Sequence, residues 1–183
     1  MKTRHLLMML LLSSLSAWSP AWAKQTCDTQ SYPMSTPVER FSDNGDGTLF
    51  DLEPDLTWMR CSLGQVWTGK TCTGTPATYT WKSAQEAAAK LNREGGYANH
   101  DDWRVPQIAE LGSIVERQCS NPRIILALFP ATPPVYFWTA TTRRGPGMDA
   151  YAYAISFGAD GPKHPSKEEK FNVRLVRGGA PKE

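Results

Sequence analysis

Residues 102–111 read Asp-Trp-Arg-Val-Pro-Gln-Ile-Ala-Glu-Leu, and this stretch joins an extended segment to the start of a helix. Pro106 suits the first position of a helix, because the N–H that proline lacks would have no partner there. Arg104 lies just before the helix and Glu110 lies one turn into it, so we expect the two side chains to pair and to fix the corner. Trp103 is expected in the core beneath that corner.

Helical periodicity is found on both sides of this corner. The first helix has Thr80 as its N-cap and ends at Gly95-Gly96. Its apolar face is mostly alanine, so we expect it to lie close to whatever it packs against; the face consists of Trp81, Ala84, Ala88 and Leu91. The second helix begins at Pro106 and is expected to end near Cys119. Its apolar stripe consists of Ile108, Leu111, Ile114 and Val115.

The other regular segments have the composition and alternation of strands. A hairpin is predicted around the turn residues 44–47, with Phe41 on one side and residues 48–50 on the other. Further strands are predicted at 56–60, 137–141, 150–157 and 172–177. This order of elements predicts an α+β domain with an antiparallel sheet and long loops.

The length and composition are those of one compact domain. The chain has 183 residues, of which 40% are hydrophobic and 21% charged, so most of it should fold. A net charge of +2 lacks the basic excess typical of nucleic-acid binders. We expect a signal peptide over 1–23, an extended arm over 24–39, the domain over 40–178 and a disordered tail over 179–183.

The start of the chain has the pattern of a secretory signal peptide. Lys2 and Arg4 precede the apolar run 6–12, and Ala21-Trp22-Ala23 resembles a signal peptidase site. The apolar run is too short to span a membrane. Without residues 1–23, the remaining chain has 18 charges of each sign. We therefore expect a periplasmic or secreted, cell-surface protein.

Four cysteines remain after this removal, at positions 27, 61, 72 and 119. An even number in an oxidising compartment predicts two structural disulfides, with three possible connectivities. Cys61 and Cys72 enclose a short glycine-rich loop and are the natural local pair. Cys27 would then join Cys119, linking the N-terminal arm to the end of the second helix. No C-x-x-C motif supports a metal or redox site, and we expect no cofactor.

Several of these stretches, in order, resemble the Lcl C-terminal domain family of exported bacterial proteins. The matching segments are 43–48, 56–58, 80–81, 102–106 with 110–111, 129–130, 137–139 and 173–178. They extend over about residues 40–178. The insert from Arg60-Cys61 to Gly74 resembles a cysteine-containing subgroup of that family.

The segment 103–111 also resembles formylglycine-generating enzymes. That resemblance implies a C-type-lectin-like architecture, in which two helices flank a small antiparallel sheet. It also raises a remote alternative, a formylglycine-generating-like oxidase that would use Cys61 and Cys72. The sequence contains no nucleophile–base pair, so we expect a protein that is not an enzyme.

The charge is unevenly distributed, which favours a binding function. Residues 24–122 carry a net −4 and residues 123–183 a net +4. The candidate ligand-binding residues lie in or beside two loops that the fold resemblance places side by side; they are Arg143, Arg144, Tyr151, Lys163, Lys167 and Lys170. Basic side chains near an aromatic ring suit an anionic polysaccharide or a cell-surface glycan, as in an adhesin. A solvated loop surface without a ligand is the simpler alternative.

Two other possibilities remain open from the sequence. One is an accessory subunit of an envelope or pilus-type assembly that binds a protein partner through an aromatic sheet surface; either kind of protein could form oligomers. The other is a calcium loop formed by Asn44, Asp46 and Glu53, although Ser42 replaces the leading aspartate and no helices flank the segment. A tight turn is the preferred interpretation of this segment.

Overall fold

The computed structural model describes residues 24–53 and 55–179. The predicted signal peptide and residues 180–183 of the predicted tail lie outside the described residues. The strands are β1 Thr26–Cys27, β2 Phe41–Asp43, β3 Thr48–Asp51, β4 Leu56–Met59, β5 Val66–Trp67, β6 Cys72–Thr73, β7 Cys119–Ser120, β8 Tyr136–Thr142, β9 Ala152–Ser156 and β10 Val176–Gly178. The α-helices are α1 Trp81–Arg93 and α2 Ile108–Ser113, and a 3-10 turn covers Val38–Arg40. Helices thus combine with antiparallel strand pairs, which confirms the α+β class.

The largest sheet has the order β10-β4-β3-β2, so the last strand lies in the same sheet as the first hairpin. The predicted hairpin is present, and carboxylates hold its turn. Asp43 Oδ1 accepts the N–H of Gly45 at 2.9 Å, and Asp46 Oδ1 accepts the N–H of Thr48 at 3.0 Å. Separate two-stranded sheets are formed by β1 with β7, β5 with β6, and β8 with β9.

The core consists of two clusters of buried residues. The α2 cluster contains Leu49, Leu56, Trp58, Leu111, Ile114, Ile124, Leu128, Phe129, Phe137, Ile155, Phe157 and Val176. The α1 cluster contains Met59, Ala84, Ala88, Trp103, Val105, Trp138, Ala152, Ala154, Val173 and Leu175. Successive residues of one strand belong to different clusters, as Phe137 and Trp138 do, because successive side chains of a strand point to opposite faces. These strands are therefore covered on both faces.

Helix α1 has the predicted start and buried face. The Thr80 side chain accepts the N–H of Ser83 at 3.2 Å, as an N-cap does. Ala84 and Ala88 are buried, which lets the helix lie close to the strands. The Trp81 indole donates to the carbonyl of Thr139 in β8 at 2.9 Å.

Helix α2 is shorter than predicted at both ends, and this expectation was wrong. It begins at Ile108 instead of Pro106, because Gln107 is the N-cap and forms a capping box with Glu110. It ends at Ser113, and Cys119 lies in strand β7 instead of at a helix end. The chain beyond α2 is drawn toward the N-terminal arm, because the buried Glu116 carboxylate accepts the N–H groups of Thr36 and Gln118 at 2.8 and 2.7 Å. A continued helix would not allow these contacts.

Two disulfides are present, and they join Cys61 to Cys72 and Cys27 to Cys119. The second disulfide links the paired strands β1 and β7, so the expected connection to a helix end is replaced by a connection between strands. The disulfide Cys61–Cys72 closes the hairpin of β5 and β6, which we call the disulfide ribbon (residues 61–73).

The last strand is also shorter than the predicted segment 172–177. It comprises Val176–Gly178, whereas Asn172 forms only an isolated bridge to Phe137. Between them, the fully buried Arg174 donates to the carbonyls of Met59 and Arg60. These side-chain hydrogen bonds use the carbonyl groups of the last residue of β4 and of the residue that follows it. Among the described residues, no helix is both long and apolar enough to cross a membrane.

Candidate ligand-binding surface

The corner at Trp103 to Glu110 is built as the sequence predicts. Arg104 donates two hydrogen bonds of 2.7 Å to the Glu110 carboxylate, and Trp103 is buried. Glu110 also accepts the N–H of Gln107 at 2.7 Å, and Arg104 donates to the carbonyl of Gly178 at 2.8 Å. These side chains therefore connect helix α2 with strand β10, and their polar atoms are used within the fold.

The loops that carry the candidate ligand-binding residues lie side by side. Lys167 donates its backbone N–H to Ala150 at 2.8 Å, and Ala152 donates to Pro165 at 3.2 Å. An isolated bridge also pairs Tyr151 with Ser166. We call the surface formed by residues 142–151 and 163–170 the basic loops. The backbone bonds themselves show that the two loops are in contact, so this contact is established without the fold resemblance.

Arg143 and Tyr151 are joined by a backbone hydrogen bond in the basic loops. The register of β8 and β9 ends with Thr142 paired with Ala152, and just beyond it Arg143 N–H donates to Tyr151 O at 3.2 Å. Tyr151 is 37% exposed, so a basic residue and an accessible aromatic residue are connected through their backbones at this edge.

The two lysines Lys163 and Lys167 are used within the fold. The Lys163 Nζ atom lies 4.0 Å from the centroid of the Tyr136 ring and 3.6 Å from Glu169 Oε2. The Lys167 Nζ atom lies 4.6 Å from the Trp81 ring centroid and donates to Asp149 O at 2.5 Å. Both lysines tie the long loop to its surroundings.

The other basic candidates have no such contacts in the described part of the chain. Arg144 and Lys170 are exposed and Arg143 is half-buried, and none of them forms an ion pair there. Of the predicted basic residues, these three are available to a ligand. Arg143 is the one whose backbone N–H donates to Tyr151.

The calcium alternative receives no support from the hairpin. Asp46 Oδ1 also accepts the Thr48 hydroxyl at 2.6 Å, and the Glu53 carboxylate lies 3.5 Å from Arg40. Asn44 donates from its side chain to Thr48 Oγ1 at 2.9 Å. The described residues contain no group of three or more His, Cys, Asp or Glu side chains arranged to hold a metal ion.

Of the adjacent carboxylates Asp101 and Asp102, Asp102 forms an ion pair. The Arg177 guanidinium donates to Asp102 Oδ1 at 2.6 Å, and this bond holds the pKa of Asp102 below its usual range. His164 lies beside the Tyr153 ring, and His100 pairs through its backbone with Tyr97. These groups have contacts typical of surface turns.

A further cavity of about 340 Å³ was not predicted from the sequence. We call it the Trp67 cleft, and it is lined by Asp46, Met59, Cys61, Gln65, Val66, Trp67 and Tyr97. Its lining comes from the hairpin turn, from strand β4 and the disulfide ribbon, and from the turn after α1. Local sequence patterns do not predict that segments so far apart in the chain will meet. The one available signal was a tryptophan inside a glycine-rich loop closed by two cysteines.

Comparison with known proteins agrees with the order of motifs along the chain. No curated protein matches the chain. The model of the Lcl C-terminal domain matches residues 47–177, which is most of the sequence. The chain therefore belongs to the Lcl C-terminal domain family.

Proposed function

We propose that this protein is an exported, non-catalytic binding domain that recognises an anionic polysaccharide or cell-surface glycan through the basic loops. The observation that carries the proposal is the backbone hydrogen bond that joins Arg143 to the exposed Tyr151, just beyond the paired ends of β8 and β9. A guanidinium binds sulfate or carboxylate groups in a planar, two-pronged manner. The adjacent tyrosine ring offers a flat apolar surface for the face of a sugar. Adhesion to a surface coated with such glycans would follow from this chemistry.

The proposal is tested by measuring binding to dextran sulfate, with uncharged dextran as the reference ligand. We expect affinity for dextran sulfate to fall at least about fivefold between 50 and 300 mM NaCl, because salt screens exposed charges. The double variant Arg143→Ala/Arg144→Ala should weaken binding by a similar factor, since each exposed ionic contact contributes about 0.5–1 kcal/mol.

A matched control removes two exposed lysines that do not belong to the basic loops. Lys70 lies in the disulfide ribbon, and Lys90 lies in the last turn of α1, at the other end of the helix from Trp81. Lys70→Ala/Lys90→Ala changes the net charge by the same amount and should leave affinity within about twofold. Equal losses in the two double variants would mean that only overall charge matters, and binding that ignores salt would contradict the proposal.

The proposal includes a C-type-lectin-like arrangement with the helices on either side of the sheet region. Two observations support it: α1 and α2 contribute to different core clusters, and β10 shares a sheet with the N-terminal hairpin. Export to the periplasm or cell surface is supported by the two disulfides, which persist in oxidising compartments. Fractionation of cells followed by thiol labelling tests this: the protein should be outside the cytoplasm without free thiols.

A protein partner is the second candidate function, and a group of exposed apolar side chains favours it. Tyr32, Met34, Val38 and Leu52 are 58%, 44%, 39% and 58% exposed. Val38 and Leu52 lie near each other beside the edge strand β2, because Leu52 N–H donates to Arg40 O at 2.9 Å, whereas Tyr32 and Met34 lie earlier on the N-terminal arm. An envelope protein could cover the surface at β2. Cross-linking from position 52 in intact envelopes should capture one defined partner, and Val38→Asp should abolish this capture.

A further inference from the structure

The Trp67 cleft is separate from the basic loops. Lys167 of the basic loops packs on Trp81, the first residue of α1, whereas Tyr97 of the cleft follows the last turn of the same helix. A helix of 13 residues is about 20 Å long. The two sites therefore lie near opposite ends of α1, and a ligand of the cleft need not contact Arg143 or Tyr151.

The aromatic walls of the cleft are held in place by the backbone. A Cβ atom at Gly47 would collide with the Tyr97 hydroxyl and would lie 2.9 Å from the Trp67 ring, so only glycine lets both rings approach the hairpin turn. Tyr97 begins a tight turn in which Ala98 and Asn99 have φ values of 52° and 61°. This left-handed conformation is costly for alanine and is often retained where a loop must present a side chain.

The indole of Trp67 has an unmade hydrogen bond. The indole N–H groups of Trp58, Trp81, Trp103 and Trp138 each donate to an acceptor at 2.7–3.3 Å. Trp67 Nε1 is shielded from solvent and has no acceptor within the described residues. A buried donor without a partner is costly, so the indole would gain a hydrogen bond if it rotated enough to bring this N–H to an oxygen atom of an occupant of the cleft.

The charges around the cleft leave one carboxylate without a cationic partner among the described residues. The Arg60 guanidinium lies 4.4 Å from the centroid of the Trp67 ring, and its charge is paired with Asp43 at 2.5 Å. The Asp46 carboxylate belongs to the lining of the cleft, and its Oδ1 atom is engaged by Thr48. Asp46 would repel an anion and would accept hydrogen bonds from hydroxyl groups. The cleft therefore favours an uncharged occupant over an anion, with apolar faces for the two aromatic rings and hydroxyl groups for Asp46.

From these contacts we propose that the Trp67 cleft binds a single neutral pyranose ring, with its C–H faces against Trp67 and Tyr97 and its hydroxyls near Asp46 and the indole N–H. The volume of about 340 Å³ is at the lower end of small-ligand pockets, which begin near ~300 Å³. This site goes beyond the proposed recognition of anionic glycans, because its ligand carries no charge.

The test follows the tryptophan indole resonances of isotope-labelled protein by NMR during titration with sugars. The probes are the methyl glycosides of glucose, galactose, mannose and N-acetylglucosamine. The Trp67 resonance is identified by its loss in Trp67→Phe. We expect at least one of these sugars to shift it saturably with a millimolar dissociation constant, without moving the buried Trp58 and Trp138 resonances and without a response to added NaCl.

Variants decide whether the shift reports binding in the cleft. Tyr97→Ala should weaken the affinity for the sugar at least about fivefold, since this variant lacks one aromatic wall of the cleft. Tyr32→Ala removes an exposed aromatic side chain elsewhere and should leave the affinity unchanged. Arg143→Ala/Arg144→Ala should also leave it unchanged. The remaining indole resonances show whether each variant is folded. The proposal is overturned if none of these sugars gives a saturable shift, or if only glucuronic acid does so and the effect disappears with salt.

Discussion

Arg174 is fully buried and has no carboxylate partner in the described residues. Its guanidinium donates to Met59 O at 2.9 Å, to Arg60 O, and to Thr132 Oγ1 at 2.6 Å, and it lies 4.8 Å from the Phe129 ring. Burial lowers the pKa of Arg174 to about 9. The planar guanidinium donates to acceptors on two different segments, at 59–60 and at Thr132, and so it links these segments inside the core.

Arg174→Lys should therefore destabilise the protein, because one ammonium group cannot reach both Met59 O and Thr132 Oγ1. We expect the free energy of unfolding to fall by about 2–4 kcal/mol in urea denaturation. Arg177→Lys is the control, since its side chain is 25% exposed and bound to Asp102 at the surface, and it should cost less than about 1 kcal/mol. Similar losses in both variants would contradict the role assigned to Arg174.

Glu116 makes stability depend on pH. Burial raises its pKa, but the N–H groups of Gln118, Ser35 and Thr36 outweigh burial, so the pKa of the folded state lies below the ordinary value of 4.5. The stabilisation from its carboxylate is therefore complete above pH 4.5 and is lost as pH falls through the lower folded-state pKa.

Glu116→Gln should place an amide N–H₂ group against N–H donors and cost about 1–3 kcal/mol at pH 7. It should also flatten the loss of stability below pH 4.5 that the unmodified protein shows in urea titrations. Glu53→Gln, in a side chain that is 74% exposed, should change neither quantity. An unchanged acid profile in Glu116→Gln would show that other carboxylates control it.

At the scale of elements, helix α1 depends on its small residues. Ala84 is 0% exposed, and it belongs to the same core cluster as Ala152 and Ala154 of β9. Ala84→Leu should overpack this contact and lower stability by about 1–3 kcal/mol in thermal or urea unfolding. Ala89→Leu adds the same atoms on the exposed face of α1 and should change stability by less than about 0.5 kcal/mol. Tolerance of leucine at position 84 would contradict close packing of α1.

At the scale of the molecule, the two core clusters should unfold together. Strand β8 contributes Phe137 to one cluster and Trp138 to the other, so neither cluster can lose its packing without disturbing the other. Leu111→Ala in the α2 cluster and Leu175→Ala in the α1 cluster should each cost about 2–5 kcal/mol. Tryptophan fluorescence and far-UV circular dichroism should give one coincident transition in both variants. Separate transitions, each moved by one variant, would indicate independent units.

Local patterns predicted the elements whose signals lie within a few neighbouring residues. The turn residues 44–47 determined the hairpin, Thr80 and the alanine face determined α1, and the spacing of Arg104 and Glu110 determined their ion pair. The end of α2 could not be predicted, because the carboxylate of Glu116 binds backbone groups about 80 positions earlier in the chain.

The family, the α+β class and the local disulfide Cys61–Cys72 could be predicted from the chain alone, because short-range periodicity, motif order and cysteine spacing carry that information. The partners of the charged side chains and the position of the cleft could not. Packing places Lys163 and Lys167 on aromatic rings, and it forms the Trp67 cleft from distant segments. Burial and charge compensation depend on neighbours in space, and tertiary packing sets those neighbours.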